Sequence, residues 1–327
     1  MRMRRKYYLH IIKRLNTVMS DLSSLKDLIF NGKNISGPWR LSVWEKDGHP
    51  PSYVFSEEHE NKGSCPDQMD ISALSTNILN STSNVHVFIE HYIHANEMIN
   101  TKHTEEKTCN IAKDKAILNN MRNCLEVLRI TDPSKKERIH FIDPRVDIVA
   151  ILPDGKIYDA LDMFITSKIK EGDTECALMT IYEAFIHPLM SMFPDKMVMK
   201  GRMVGTIENM RSKMTPGQKT FFDSVWKKDV IGRISTLTKF FRDMQKSSDL
   251  SEINQMYKLY KDMTNKFLDT WLLANVLIAE NSMNMSASVI YLGSLHSLNF
   301  EEYLHQMGYT RKSLFENKNL SACLKLN

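Results

Sequence analysis

Residues 286–308 contain a complete pattern of strand, loop and helix, and this stretch constrains the fold more than any other. It opens with a short apolar run of β-branched and aromatic residues that is typical of a buried strand, and Gly293 ends the run. Asn299 is a suitable N-cap for the helix that follows, and Gly308 stands where a C-terminal glycine is expected. Because ligands bind beyond the carboxyl ends of strands in open α/β sheets, the pattern predicts a site at His296.

A second, degenerate copy of this pattern lies in the first part of the chain. Residues 53–59 repeat the apolar run, the small residue and the histidine, with Ser56 in the place of the glycine and His59 in the place of the later histidine. Asp70 is an N-cap candidate for an amphipathic helix that follows this copy. A single histidine after a strand also fits a loop side chain with no function. Two copies instead predict a duplicated unit whose histidines end equivalent strands.

Apolar runs typical of strands lie on both sides of a long helical stretch. The predicted strands lie near residues 39–44, 53–57, 85–90, 139–149 and 287–292. These patterns predict an α/β fold in which duplicated strand-loop-helix units form a mixed, mainly parallel sheet with a large helical insertion. The predicted divisions are a basic helical arm at 1–33, a first α/β half at 34–157, a helical layer at 158–285 and a second α/β repeat at 286–327.

The charge distribution argues against a nucleic-acid-binding protein. The first twenty residues hold six basic residues and no acid, which exceeds the net charge of +4 and leaves the rest of the chain slightly acidic. This basic start lacks the apolar run of a secretory signal, and no stretch is long and apolar enough to span a bilayer. Five widely spaced cysteines with no CxxC pair predict neither a disulfide framework nor a structural zinc site. These features together favour a cytoplasmic protein.

Methionine is frequent, with 21 residues, of which seven lie between Met190 and Met214. A methionine-rich helical surface can adapt to a protein partner, but methionine also fills irregular gaps in a core. Core filling is the favoured interpretation.

Several polar residues follow the predicted strands. Glu90 ends the strand near 85–90, and His91 and His94 follow it with a spacing that also occurs in metal sites. Arg145 stands after the first part of the strand near 139–149, where residues 139–142 end in Asp143-Pro144-Arg145, and its guanidinium would there hold a carboxylate or an oxyanion. Arg145 would alternatively pair with Asp143, which is only two residues away.

The paired strand and histidine motifs resemble the superfamily that includes the erythromycin esterases, the ChaN-like haem-binding proteins and the TraB/Tiki proteins. In this resemblance residues 56–59 form the first motif, residues 293–296 form the second, Glu90 is the acid and Arg145 is the arginine. The pattern also looks like uncharacterised proteins of large DNA viruses. The resemblance implies one cleft formed by His59, His296, Glu57, Glu90 and Arg145.

The resemblance implies a hydrolase of ester or peptide bonds that acts on a small molecule or a peptide. Histidine beside a carboxylate is a suitable general base near neutral pH. In a metal-assisted variant the ligands of a divalent manganese, cobalt or zinc ion would be His59, Glu57, Glu90 and His296. Haem, which one branch of the superfamily binds, is a less favoured cofactor. The alternative is a catalytically inactive interaction protein or virion-associated protein that keeps the fold.

Overall fold

The computed structural model describes residues 2–31, 34–58, 69–92, 117–145, 165–173, 176, 179–180, 202–244, 250–282, 284–317 and 323–326. The chain divides into two compact units. The first unit comprises Met1–His91, Ala95–Phe141 and Ala279–Asn327, and the second comprises Tyr92–His94 and Ile142–Ile278.

We number nine strands and nine α-helices of the described ranges in chain order. The strands are β1 (Ile35–Ser36), β2 (Arg40–Glu45), β3 (Ser52–Glu57), β4 (Met69–Asp70), β5 (Val85–Tyr92), β6 (Ile139–Asp143), β7 (Ala287–Gly293), β8 (Thr310–Glu316) and β9 (Cys323–Leu324). The helices are α1 (Arg2–Phe30), α2 (Ile71–Ser81), α3 (Ile117–Thr131), α4 (Pro133–Lys136), α5 (Arg202–Ser212), α6 (Pro216–Val225), α7 (Gly232–Met244), α8 (Leu250–Ser282) and α9 (Ser294–Gln306). Residues 165–171 are also helical.

Six of the strands form one mixed sheet in the order β6-β5-β7-β3-β2-β8. Strand β7 pairs in parallel with β3 and with β5, whereas β2 pairs in antiparallel fashion with β3 and with β8. The prediction of an α/β fold with a mixed sheet is confirmed, as is the expectation that the two histidine-motif strands share one sheet. A smaller sheet joins β4, β1 and β9.

The main core of the first unit lies between one face of the six-stranded sheet and helices α1, α2 and α3. Alternate residues of the strands point into it, as Val85, Val87 and Ile89 of β5 do. Leu25 of α1 and Leu74 of α2 are fully buried among them. Each such side chain contributes roughly 1.5–3 kcal/mol relative to exposure, so this layer holds the sheet against its helices.

The helix after β7 starts earlier than the sequence predicts. The helix that carries His296 begins at Ser294 with Gly293 as its N-cap, so the predicted N-cap Asn299 lies inside the helix. The prediction of a loop between strand and helix is therefore wrong. The helix does end as predicted, because Gly308 adopts a positive φ of 85° directly after it.

Strand β8 has no counterpart in the sequence prediction. Most of its side chains are exposed, and it lies at the edge of the sheet beside β2. Charged residues and a register shift opposite Val43 and Trp44 interrupt any regular apolar alternation. Such features protect sheet edges from pairing with other chains, and they also remove the pattern by which a strand is recognised.

Apart from the strand ends at Tyr92 and at 142–143, the described residues of the second unit are mainly helical, and residues 165–173, 202–244 and 250–278 contain no strand, as predicted. Helix α6 begins with a capping box, in which Thr215 and Gln218 bond each other's backbone N–H groups. A π-helical turn at Trp226–Ile231 joins α6 to α7, so the chain stays helical over residues 216–244 through a local widening.

The described residues also bear on membrane insertion and on disulfide formation. No helix among the described residues is both long and apolar enough to cross a membrane. Cys124 of α3 is disulfide-bonded, whereas Cys176 is a free thiol. The wide spacing of the cysteines does not predict the bond at Cys124, because spacing carries no information on which thiols the fold brings together.

Candidate functional site

A buried carboxylate and a buried histidine meet at the carboxyl ends of the central parallel strands. Glu90 lies near the end of β5, and His296 is the third residue of α9, which follows β7 directly. Oε1 of Glu90 lies 3.9 Å from Nε2 of His296, and the two residues are 3% and 6% exposed. The parallel pairing of β5 with β7 produces this contact, because it brings both strand ends to one edge.

The second carboxylate oxygen of Glu90 is tied to the turn that starts the helix. The backbone N–H of Gly293 donates a hydrogen bond of 3.1 Å to Oε2 of Glu90. The carboxylate thus caps the positive end of the α9 dipole, an arrangement that favours its ionised form. Glu90 is therefore held in place, with Oε1 directed toward His296.

Glu57 reaches the same edge from the next strand. The register of β3 and β7 places it beside Gly293, one residue beyond Ser56. The hydroxyl of Tyr291 donates a hydrogen bond of 2.8 Å to Oε2 of Glu57. Burial, followed by the nearby charge of Glu57, raises the pKa of Tyr291 well above its ordinary value, so the phenol remains a neutral donor.

Side-chain alternation explains how the two glutamates approach the edge. Tyr291 points into the core beneath α1, α2 and α3, and Glu57 contacts it from this side of the sheet. Glu90 contacts Gly293 and His296 at the start of α9. Glu57 therefore approaches this edge from the core side of the sheet, and Glu90 approaches it from the side of α9.

Ser294, the first residue of α9, fixes the helix to the end of β3. Its hydroxyl lies 2.9 Å from the carbonyl oxygen of Glu57 and 2.7 Å from Oε1 of Glu58. The indole N–H of Trp39 donates to the same hydroxyl at 2.9 Å. These contacts explain why the helix starts at once after Gly293, since its first turn is anchored by side chains rather than by a loop.

The inward face of α9 is polar and matches a polar face of the sheet. Ser297 and Ser56 share a hydrogen bond of 2.6 Å, one turn beyond Ser294. One turn further, the carboxylate of Glu301 binds Arg40 and Ser42 of β2. All of these groups except Ser294 are less than 9% exposed, so α9 is docked through buried hydrogen bonds as well as apolar contacts.

Arg122 is a site residue that the sequence does not reveal. It lies on α3, and its Nε donates a hydrogen bond of 2.7 Å to the backbone carbonyl of Glu90. Its positive charge also acts on Tyr291, where it opposes the rise in pKa. The first unit thus holds a guanidinium next to Glu90 and the phenol that binds Glu57. No motif marks Arg122, because it follows from the packing of a helix and not from a strand end.

The predicted arginine, Arg145, forms the local pair that the sequence offered as its alternative. Its Nε and Nη2 donate to the carboxylate of Asp143 at 2.9 Å and 2.7 Å. Both residues belong to the second unit. His91 similarly contacts the carboxylate of Glu126. His59 lies outside the described residues, and so does His94.

The described residues provide few donors for a metal. Within the described ranges, no group of three or more histidine, cysteine, aspartate or glutamate side chains is arranged to hold a metal ion. Glu90 and His296 supply two donors of the types that zinc and manganese accept. A metal site at this edge would therefore need further donors, of which His59 is the sequence-predicted one.

The chain was compared with known proteins at three levels. No protein-family model, no curated protein and no solved structure matches it. The resemblance to the erythromycin esterase and Tiki superfamily therefore rests on the residues of the two motifs alone.

Proposed function

We propose that this chain is a hydrolase of ester or peptide bonds, with Glu90 and His296 as its central catalytic pair. The observation that supports the proposal is their 3.9 Å contact at the carboxyl edge of the sheet, where both side chains are almost fully buried. Buried ionisable groups at a strand edge cost desolvation energy, and chemistry or ligand binding commonly compensates for it.

In the proposed reaction His296 is the general base. A water molecule transfers a proton to the imidazole, and its oxygen forms a bond to the carbonyl carbon of the substrate. Glu90 stabilises the imidazolium that results, since its carboxylate is held beside the ring. When the tetrahedral species collapses, the bond to the leaving oxygen or nitrogen breaks and the imidazolium returns its proton to that atom.

The other residues at the edge have supporting roles in this proposal. Arg122 stabilises negative charge that develops on the carbonyl oxygen, which is the role expected of Arg145 from the sequence. Glu57, held by Tyr291 on the core side of the sheet, fixes the end of β3 beside Gly293. In the metal-assisted form of the same reaction Glu90 and His296 would need His59 as a further ligand of a divalent ion, which would lower the pKa of its bound water, because Glu57 does not join them in a metal-binding group.

The proposal is tested with purified protein against panels of chromogenic esters and fluorogenic peptides. For a substrate that is turned over, we expect His296→Gln and Glu90→Gln to lower kcat/KM at least about 100-fold, as removal of a general base does. His49→Asn is the matched control, because His49 is an exposed histidine in the turn between β2 and β3. Each variant is first compared with the unchanged protein by its melting temperature, and Glu90→Asp keeps the charge if Glu90→Gln unfolds.

Metal analysis of the same preparation separates the two forms of the reaction. Activity that survives chelation supports the His296 base, whereas loss of activity that divalent manganese, cobalt or zinc restores supports the metal-assisted form. Turnover that is unchanged in both His296→Gln and Glu90→Gln would refute the proposed site. Complete absence of turnover would favour the interaction-protein alternative.

A further inference from the structure

A pocket of about 480 Å³ opens on the exposed side of α9 in the first unit. It is distinct from the proposed catalytic edge, because His305 lies nine residues beyond His296, or about 14 Å along the helix axis. Its main lining residues come from α9, from β2 and from the segment that enters β8. They are Trp44, Leu298, Glu302, His305, Tyr309 and Arg311.

The two aromatic walls of the pocket are held in fixed positions. The indole N–H of Trp44 donates a 2.9 Å hydrogen bond to Ser42, whose hydroxyl in turn donates to Glu301 at 2.5 Å. The hydroxyl of Tyr309 donates to the carbonyl oxygen of Pro50 at 3.4 Å. Both rings are only 6% exposed. Rings that are already ordered lose little conformational entropy when a ligand stacks on them.

The buried carboxylate of the pocket is already neutralised. Both oxygens of Glu301 accept hydrogen bonds from the guanidinium of Arg40, which is itself 2% exposed. This pair contributes no net charge to the pocket. The charge offered to a ligand is therefore set by the groups on the rim.

Basic groups stand against both aromatic walls. Cζ of Arg311 lies 5.9 Å from the centroid of the indole ring, and Nζ of Lys46 lies 5.8 Å from that of the phenol ring. Burial, followed by the charge of Glu280, raises the pKa of Tyr309, so the phenol brings no negative charge. Glu302 adds one carboxylate, which accepts a hydrogen bond from Gln306. Among the charged lining residues Arg311 makes no ion pair with a described residue, whereas Glu302 is already bound by Gln306, so the lining offers a guanidinium to an anion.

We propose that this pocket binds a small planar aromatic anion. The ring of the ligand lies against Trp44 and Tyr309, with the half-exposed side chain of Leu298 as the third apolar wall. Its carboxylate pairs with the guanidinium of Arg311, whose planar fork matches two carboxylate oxygens. The volume is within the range of small-molecule sites.

Three probes of equal ring and different charge test the proposal. Indole-3-acetate is an anion, indole-3-acetamide is neutral and tryptamine is a cation. We expect indole-3-acetate to bind about fivefold more tightly than the acetamide, which is the effect of about one ion pair, and tryptamine to bind most weakly. Calorimetry gives the dissociation constants, and the indole N–H resonance of Trp44 in the ¹⁵N spectrum reports the location.

Surface variants make the test specific to the pocket. Arg311→Gln should remove the fivefold preference for the acetate and leave the affinity for the acetamide unchanged. Glu302→Gln should strengthen binding of the acetate. Lys312→Gln is the matched control, since Lys312 is the next exposed cation of β8 and does not line the pocket.

Equal affinity for all three probes, or a preference for tryptamine, would refute an anion site. An acetate preference that persists in Arg311→Gln would refute the role of that guanidinium, and an unmoved Trp44 resonance would place binding elsewhere. None of these measurements depends on hydrolase activity, so they test the binding proposal independently of the catalytic proposal.

Discussion

Arg40 of β2 and Glu301 of α9 form a buried ion pair that joins the helix to the sheet. Nη2 of Arg40 donates to Oε2 of Glu301 at 2.6 Å, and the side chains are 3% and 6% exposed. Ser42 donates to the same carboxylate, and Nε of Arg40 donates to Glu316 of β8 at 2.8 Å. The pair thus connects α9, β2 and β8, which together carry the proposed ligand pocket.

Removal of one partner should therefore be costly. Glu301→Ala leaves the Arg40 guanidinium buried beside only the half-exposed Glu316 carboxylate, and we expect a loss of about 3–5 kcal/mol in the free energy of unfolding. Chemical denaturation measures the loss. Glu302→Ala, an exposed glutamate one residue away, is the control and should cost less than about 0.5 kcal/mol. Equal losses in both variants would contradict the role of the pair.

Asp21 should be a second stability determinant, on the opposite side of the first unit. Its carboxylate accepts hydrogen bonds from the backbone N–H groups of Ser83 and Asn84, both at 2.8 Å, and from the hydroxyl of Ser286 at 3.0 Å. Asp21→Ala leaves these donors without the charged acceptor, so we expect the free energy of unfolding to fall by about 3 kcal/mol. Thermal and chemical unfolding would show it.

The control for Asp21 lies on the same helix. Asp27 of α1 is exposed, and Asp27→Ala should change stability by less than about 0.5 kcal/mol. If Asp21→Ala were as mild as this control, the three hydrogen bonds would not contribute to the stability of the fold.

The basic start of the chain should be dispensable for folding. The contacts of α1 with the core come from residues such as Leu25 and Ile29, which lie far beyond the first six residues. We expect deletion of residues 1–6 to change the melting temperature by less than about 2 °C. A large drop would show that the basic segment packs against the folded chain.

The stability of the protein should fall as the pH is lowered toward 4, because two neighbouring histidines, buried His86 and partly buried His140, remain neutral in the folded state. Nδ1 of His86 and Nε2 of His140 lie 2.8 Å apart and share a hydrogen bond. Burial, with a smaller effect of Arg138, lowers the pKa of His86 to about 4. Burial also lowers the pKa of His140 well below its ordinary value, helped by His86 and Arg129.

The direction follows from proton binding. In the unfolded chain both rings take up protons near pH 6.5, so between about pH 6.5 and 4 the unfolded state binds more protons than the folded state. The contribution of these two histidines to the free energy of unfolding is present above pH 6.5. It is lost as the pH falls, by up to about 3 kcal/mol for His86. His86→Gln should flatten the pH dependence of the unfolding free energy, whereas His305→Gln, at an exposed position, should leave it unchanged.

Local sequence patterns predicted the elements whose stabilising contacts are local or periodic. Asp70 caps α2 as expected, since its side chain accepts from the backbone N–H of Ser72 two residues on. Gly308 ends α9 because a glycine accepts the positive φ that this turn requires. The central strands β3, β5 and β7 were visible because runs of apolar residues mark strands that are buried on both faces.

The tertiary structure decided the arrangements that depend on partners distant in the chain. Ser294, Ser297 and Glu301 form a polar stripe that sequence patterns assign to solvent, yet it faces inward because the sheet offers Ser56, Arg40 and Ser42 as hydrogen-bond partners.

The candidate site also depends on residues that are distant in the chain. The sequence placed Glu90 and His296 at strand ends, but their contact depends on β7 lying beside β5, which no local pattern specifies. Arg122 was missed because its helix is amphipathic in an ordinary way, and only its packing brings the guanidinium to Glu90. Periodicity therefore determined where strands and helices form, while strand order and the pairing of buried polar groups determined which residues meet.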